Sequence, residues 1–298
     1  MRITSEVMVT RSLDRLQTRL EAYERSQSEL ATGKTILQPS DDPGGARRGM
    51  SLRAALRSRE QELRNANDAM GWLNNADSQL QTGLDRVRRA RDLAVDGATL
   101  KDPGSQQAIA TELRAIADEL VGVANTKHLG RPLFGGFSAG DALDDSTTPP
   151  TFDPIAGQAD EVLRRVSDTE QVRVNVTAAE WMGADSPDGD VVSFLRALAD
   201  KIEAGDQLGA SADIAGLDRA ADRMAASLAD IGSATNRVES AQARAEDAKL
   251  NLRTELSNVE DVDVAAGLME LQVQEIGYQA TLQALSKALP PSLAAFLR

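Results

Sequence analysis

The sequence predicts a mainly α fold, an elongated antiparallel helical bundle of paired N- and C-terminal helices carrying a small β-rich insert. Three observations predict it. Only nine of 298 residues are aromatic, while the hydrophobic 41% is mostly Ala, Leu and Val, a composition suited to packed helices rather than a β-sandwich. Apolar residues recur at three- and four-residue spacing over long stretches at both ends. Between them lies a segment punctuated by Gly and Pro with one run of strict alternation.

The first stripe, Val9, Leu13, Leu16, Leu20, Tyr23 and Leu30, is a narrow seam interrupted only by Gln27. Gly33 stops that helix, and Asp42 with Pro43 supplies a cap and a first helical residue for the next. From there Leu52, Leu56, Leu63, Ala66, Met70, Leu73, Leu80, Leu84, Val87 and Ala94 continue the seam, with Arg59, Asp77 and Arg91 as polar exceptions. The turn 101–105 precedes a third helix expected to run to about Lys127.

Residues 131–190 read as strands and loops. Val172, Val174 and Val176 alternate with polar residues and are expected to pair with 161–166 across the turn 167–170. Helical spacing returns at Val192, Leu195, Leu198 and Ile202, and again from Ile214 to Ile231. A final rod is expected over 238–280, about 64 Å long at 1.5 Å per residue. Beside its first seam lies a second, formed by Leu268, Leu271, Tyr278, Leu282, Leu285 and Leu289. So wide an apolar circumference must be covered from more than one side, which implies neighbouring subunits. The expected division is 1–42, 43–130, 131–190, 191–250 and 251–298.

Composition narrows the chemistry. With no Cys and the single His128, thiolate catalysis and Cys- or His-cluster metal sites are excluded. A net charge of −13 argues against nucleic acid as a partner, and no run reaches membrane-spanning length. Residues 1–100 carry a net +2 and 101–298 a net −15, so the two ends attract weakly. Thr32, Gly33, Lys34 and Thr35 lack the Gly that a phosphate-binding loop needs, since Ser28 stands there. A helix-ending turn is the better reading. His128 is expected at a helix end, favouring its dipole. The acidic run 260–263 lacks the pattern of a calcium loop and reads as a solvated or intersubunit polar face. No cofactor, metal or catalytic residue is expected.

Several short motifs carry a resemblance. Residues 27–34 read QSELATGK and 38–43 read QPSDDP; agreement continues at Asn65, Trp72-Leu73, 91–94, 124–127, 133–137 and 259–263. Over about 1–137 and 235–298 the chain resembles the flagellin superfamily, and the proline form of the 38–43 loop favours the hook–filament junction proteins over true flagellins. Pro290-Pro291 departs from the usual tail.

The resemblance implies a structural, non-enzymatic adaptor. It would form a homo-oligomeric ring between the first hook-associated protein and flagellin, reaching the flagellum through the type III export apparatus with a chaperone, with no membrane insertion. Assembly contacts are expected from the terminal seams, Leu13, Leu16 and Leu20 at one end and Leu271, Tyr278, Leu282, Leu285 and Leu289 at the other. The loop bearing Lys34, Asp41, Asp42 and Pro43 is expected to touch a neighbour. A role inside one chain is the alternative for each leucine. A short flagellin forming the filament itself is the rival function, and an enzyme borne on the insert the weaker one.

Overall fold

The computed structural model describes residues 2–154 and 160–288. In chain order they form α1 (Arg2–Thr32), α2 (Pro43–Thr99), α3 (Pro103–Ala124), β1 (Lys127–His128), β2 (Arg131–Pro132), β3 (Leu143–Asp144), β4 (Thr151–Phe152), β5 (Leu163–Arg165), β6 (Gln171–Arg173), α4 (Ala178–Met182), α5 (Val191–Glu203), α6 (Gln207–Glu260) and α7 (Val264–Ala288). Two compact units result. One is formed by the described parts of Met1–Ser58 and Lys249–Arg298, the other by Arg59–Ala248.

In the larger unit, helices α2, α3, α5 and α6 enclose one core. Leu73, Leu80, Leu113, Leu120, Leu195, Leu198 and Leu217 are fully buried, interleaved with Ala66, Ala69, Ala90, Ala110 and Ala117. Alanine at so many contact positions lets helix axes approach closely, and each buried leucine contributes about 1.5–3 kcal/mol. Residues from the 131–190 segment enter this same core. Phe134 and Trp181 meet edge to face at 5.5 Å, and Val172, Val174 and Val176 all point inward.

The helix starts are chemically simple. Asp102 caps α3 by accepting from the Ser105 N–H at 2.9 Å. Asp190 caps α5 through Val192 and Ser193, and Thr177 with Glu180 forms a reciprocal capping box on α4.

The expected hairpin is present. β5 and β6 pair antiparallel with Arg164 opposite Val172, although β6 ends at Arg173 and Val174 continues only with a bond to the Val162 carbonyl at 2.9 Å. The two-residue hairpins β1–β2 and β3–β4 and the short α4 were not anticipated.

Three expectations need correction. The third helix stops at Ala124, so His128 sits on β1 and not at a helix end; its Nδ1 lies 3.0 Å from the Asn75 amide, and its ring meets Trp72 edge-on. Helix α6 is one run through 214–260 rather than two. The rod expected over 238–280 is broken after Glu260. There the Val262 N–H turns away to the Gly33 carbonyl at 2.9 Å, and the Asp263 carboxylate caps a new helix through Ala265 and Ala266. The three- and four-residue apolar spacing runs through this break in phase, which is why periodicity hides it.

Candidate assembly interface

Helices α1 and α7 of the smaller unit pair antiparallel. Leu30 approaches Gly267, Tyr23 stacks on Tyr278 with centroids 6.5 Å apart, and Arg19 bonds to Gln274 at 3.3 Å. Gly267, Leu271, Gln274, Tyr278, Thr281 and Leu285 of α7 are half-buried in a four–three–four–three–four repeat, with Gly277 half-buried beside Tyr278. Opposite them Leu16, Leu20, Tyr23 and Leu30 are half-buried and Ser26 is buried. The pair is thus a coiled-coil seam, partly polar, with Gly267 admitting Leu30.

The other described positions of α7 through Ser286 are exposed. Val264, Leu268 and Leu282 lie within about 40° of one another on one flank of the seam, and Met269, Val273 and Ile276 within about 60° of one another on the face opposite it, at about 100° per residue. All six are exposed, Ile276 by 65% and Met269 by 64%.

The expected interface residues therefore divide. Leu16, Leu20, Leu271, Tyr278 and Leu285 belong to the half-buried seam within the chain. Leu13, half exposed, and Leu282 remain available, and Leu289 lies outside the described residues. Sequence reading missed Met269, Val273 and Ile276 as the bare flank. Two apolar stripes are visible in the sequence, but nothing there says which one α1 takes.

The joint between helices is built around one buried carboxylate. Gly33, at φ +70°, ends α1, and the Lys34 N–H closes that end on the Glu29 carbonyl at 3.2 Å. The chain then bridges to the α6 end: the Thr35 N–H and Oγ1 both donate to the Glu260 carbonyl, at 2.7 and 3.1 Å. The Glu260 carboxylate, 6% exposed, accepts from Lys34 Nζ at 3.3 Å and Arg53 at 2.5 Å. It packs against residue 49, a glycine, where an added Cβ would overlap Glu260 Oε1 and make the carboxylate shift. Part of the run expected to be a solvated or intersubunit polar face is thus a buried intrachain anchor.

Asp41 turns the loop by accepting from the Leu37 and Gln38 N–H groups, and lies 4.0 Å from Arg25. Asp42 stands at the α2 start, just before Pro43. The Gly45 and Gly44 N–H groups, with Arg48 nearby, hold its carboxyl below its usual value. Lys34, Asp41 and Asp42 all have partners inside the chain, and Asp41, Asp42 and Pro43 keep exposed surfaces. Among the described residues no group of three or more His, Cys, Asp or Glu could hold a metal ion. No described helix is long and apolar enough to cross a membrane.

A family model described as the bacterial flagellin N-terminal helical region matches residues 3–138, and one for the C-terminal helical region matches 214–296. The chain belongs to the flagellin family. It is 25% identical over 302 residues to the flagellin of Bacillus subtilis strain 168, covering 97% of this chain and 96% of that one. To the flagellar hook-associated protein 3 of Escherichia coli K12 it is 20% identical over 306 residues, covering 96% of each. The solved flagellar hook-associated protein 3 of Legionella pneumophila superposes on 70% of this chain and 98% of its own with a TM-score of 0.62 at 13% identity. This flagellin-family chain thus has the fold of a hook-associated protein, helical at both ends around a small β-containing middle.

Proposed function

We propose that the chain is a structural adaptor of the bacterial flagellum, a ring subunit joining the hook, through the first hook-associated protein, to the flagellin filament. The observation that carries this reading is the α7 surface. One stripe is used by α1, and two further stripes of large aliphatics, one beside it and one on the opposite face, stay in water although each side chain forgoes about 1.5–3 kcal/mol of burial there. A helix of that kind is completed by other chains, and packing of several α1–α7 pairs around one another can cover both bare stripes. The likeness to hook-associated protein 3 supports the junction position, and with it export through the type III apparatus with a chaperone and a place outside the cell. The function is mechanical coupling of helix seams; no step of it needs a catalytic group or cofactor.

The likeness to the B. subtilis flagellin supports a second reading, a filament subunit. Purified protein added to filament seeds separates the two. A junction subunit stops at short rings or stays monomeric, whereas elongation of filaments by this chain alone overturns the adaptor reading. In cells, deletion should leave hooks that shed flagellin into the medium, and intact filaments on the deletion strain would count against it.

A further inference from the structure

The α1–α7 pair has two unlike sides. At about 100° per residue, Val264, Leu268, Glu275 and Leu282 of α7 lie about 60–100° to one side of the seam, and Leu13 and Glu24 of α1 fall on that same side. All six are exposed. This side is a ridge of large aliphatics carrying two carboxylates.

The other side is hollow. A groove of about 820 Å³ runs along the pair, lined by Ala22, Ala280 and Ala284 together with Asp14, Arg15 and Arg19. Gly277 lies on this side too, about 80° from the seam, and a Cβ added there would meet only Arg19 atoms, at 3.9 and 4.0 Å. The charged lining is net positive where the ridge is negative. Arg15, Glu24 and Glu275 each lack an ion pair among the described residues; Glu275 accepts only from the Gln279 amide at 3.2 Å.

We propose that the ridge of one copy seats in the groove of the next, with Glu275 facing Arg15 and Leu268 over Gly277. Large side chains on one side and small ones on the other are what ridge-into-groove helix packing requires. The register agrees. Within one chain Leu30 meets Gly267 and Tyr23 meets Tyr278, which sets Arg15 level with about residue 284. Bringing a neighbour's Glu275 to that level shifts the neighbour by about nine residues, or about 14 Å along the axis. The same shift carries its Leu268 to Gly277, beside Ala22. A contact between unlike faces does not close as a pair, so it propagates into a ring or a helical array. The inference rests on the reading of α7 as a helix completed by other copies, and it holds for a junction ring and a filament alike.

The chain has no Cys, so Ala22→Cys with Leu268→Cys in one chain reports this contact alone. Within a single copy the two positions stand about 12 Å apart along the axis, on opposite sides of the pair, beyond the reach of a disulfide. Oxidised flagella assembled with the double variant should give a ladder of disulfide-linked multimers of this chain on non-reducing gels, and each single variant should stay monomeric. No ladder from flagella that contain the double variant overturns the proposal, and so does a dimer from either single variant, which would mean that like faces meet. These outcomes are distinct from those of the seed assay, which concerns where copies assemble and not through which faces. Arg15→Glu should abolish assembly of the folded protein, and Glu275→Arg in the same chain should restore it. Failure of restoration, with helical circular dichroism unchanged in both variants, also overturns the pairing.

Discussion

At the scale of single residues the sharpest dependence is between Glu260 and Gly49. Glu260 is charged, almost fully covered and held by two half-exposed cations. Its removal costs the charge-assisted bonds but leaves Lys34 and Arg53 free to hydrate, so Glu260→Ala should destabilise the chain by about 1–3 kcal/mol in urea unfolding. Gly49→Ala should cost a similar amount, because the added methyl displaces the carboxylate. In the double variant the obstacle is gone. Alanine then exceeds glycine in helix propensity by about 1 kcal/mol, so Gly49→Ala on the Glu260→Ala background should be neutral or stabilising. Additive losses would show that the two residues do not share the space. None of this was legible beforehand, since an acidic residue in the run 260–263 reads as surface until Gly49 and Arg53 are brought to it.

At the scale of elements, starts and stops were easier to read than spans. Gly33, Asp42 and Pro43 mark helix ends through local chemistry, and the structure uses each as expected because caps depend on neighbours in the chain; α3 instead starts at Pro103, inside the expected turn 101–105, with Asp102 as its cap. The break after Glu260 depends instead on a partner more than two hundred residues away, and only the Asp263 cap signals it locally. The folded carboxyl of Asp42 titrates below its usual 3.8, chiefly through the Gly45 N–H. Its stabilising contribution is therefore present above pH 3.8 and is lost as pH falls through the lower folded value. Asp42→Ala should melt below the unaltered protein at pH 7, and thermal melts should show the two curves converging as the solution is acidified past pH 3.8. A gap that persists at lower pH would mean the carboxylate charge is not what caps α2. Gly33→Ala should cost about 1–2 kcal/mol, since a Cβ at φ +70° is strained even with open space around it.

At the scale of the whole molecule, the identity was carried by motifs at the two ends and the fold class by composition and periodicity, both properties of the sequence itself. The allocation of apolar stripes was not, because α7 offers more than one and α1 can fill only one. That allocation gives the most direct test of assembly. If the seam with α1 is internal and the far flank external, Val273→Asp with Ile276→Asp adds charge only to positions already in water. The double variant should keep its helical circular dichroism and melting temperature while filaments detach and motility is lost. Leu271→Asp places a charge in the half-buried seam instead and should cost about 1–3 kcal/mol, loosening α1 from α7 before any assembly is attempted. Limited proteolysis separates the two defects, because cleavage within α1 should rise for Leu271→Asp and stay unchanged for the double variant. Motility retained by a folded Val273→Asp, Ile276→Asp chain would mean that no neighbour covers that flank, and the argument from an unfinished helix would fail with it.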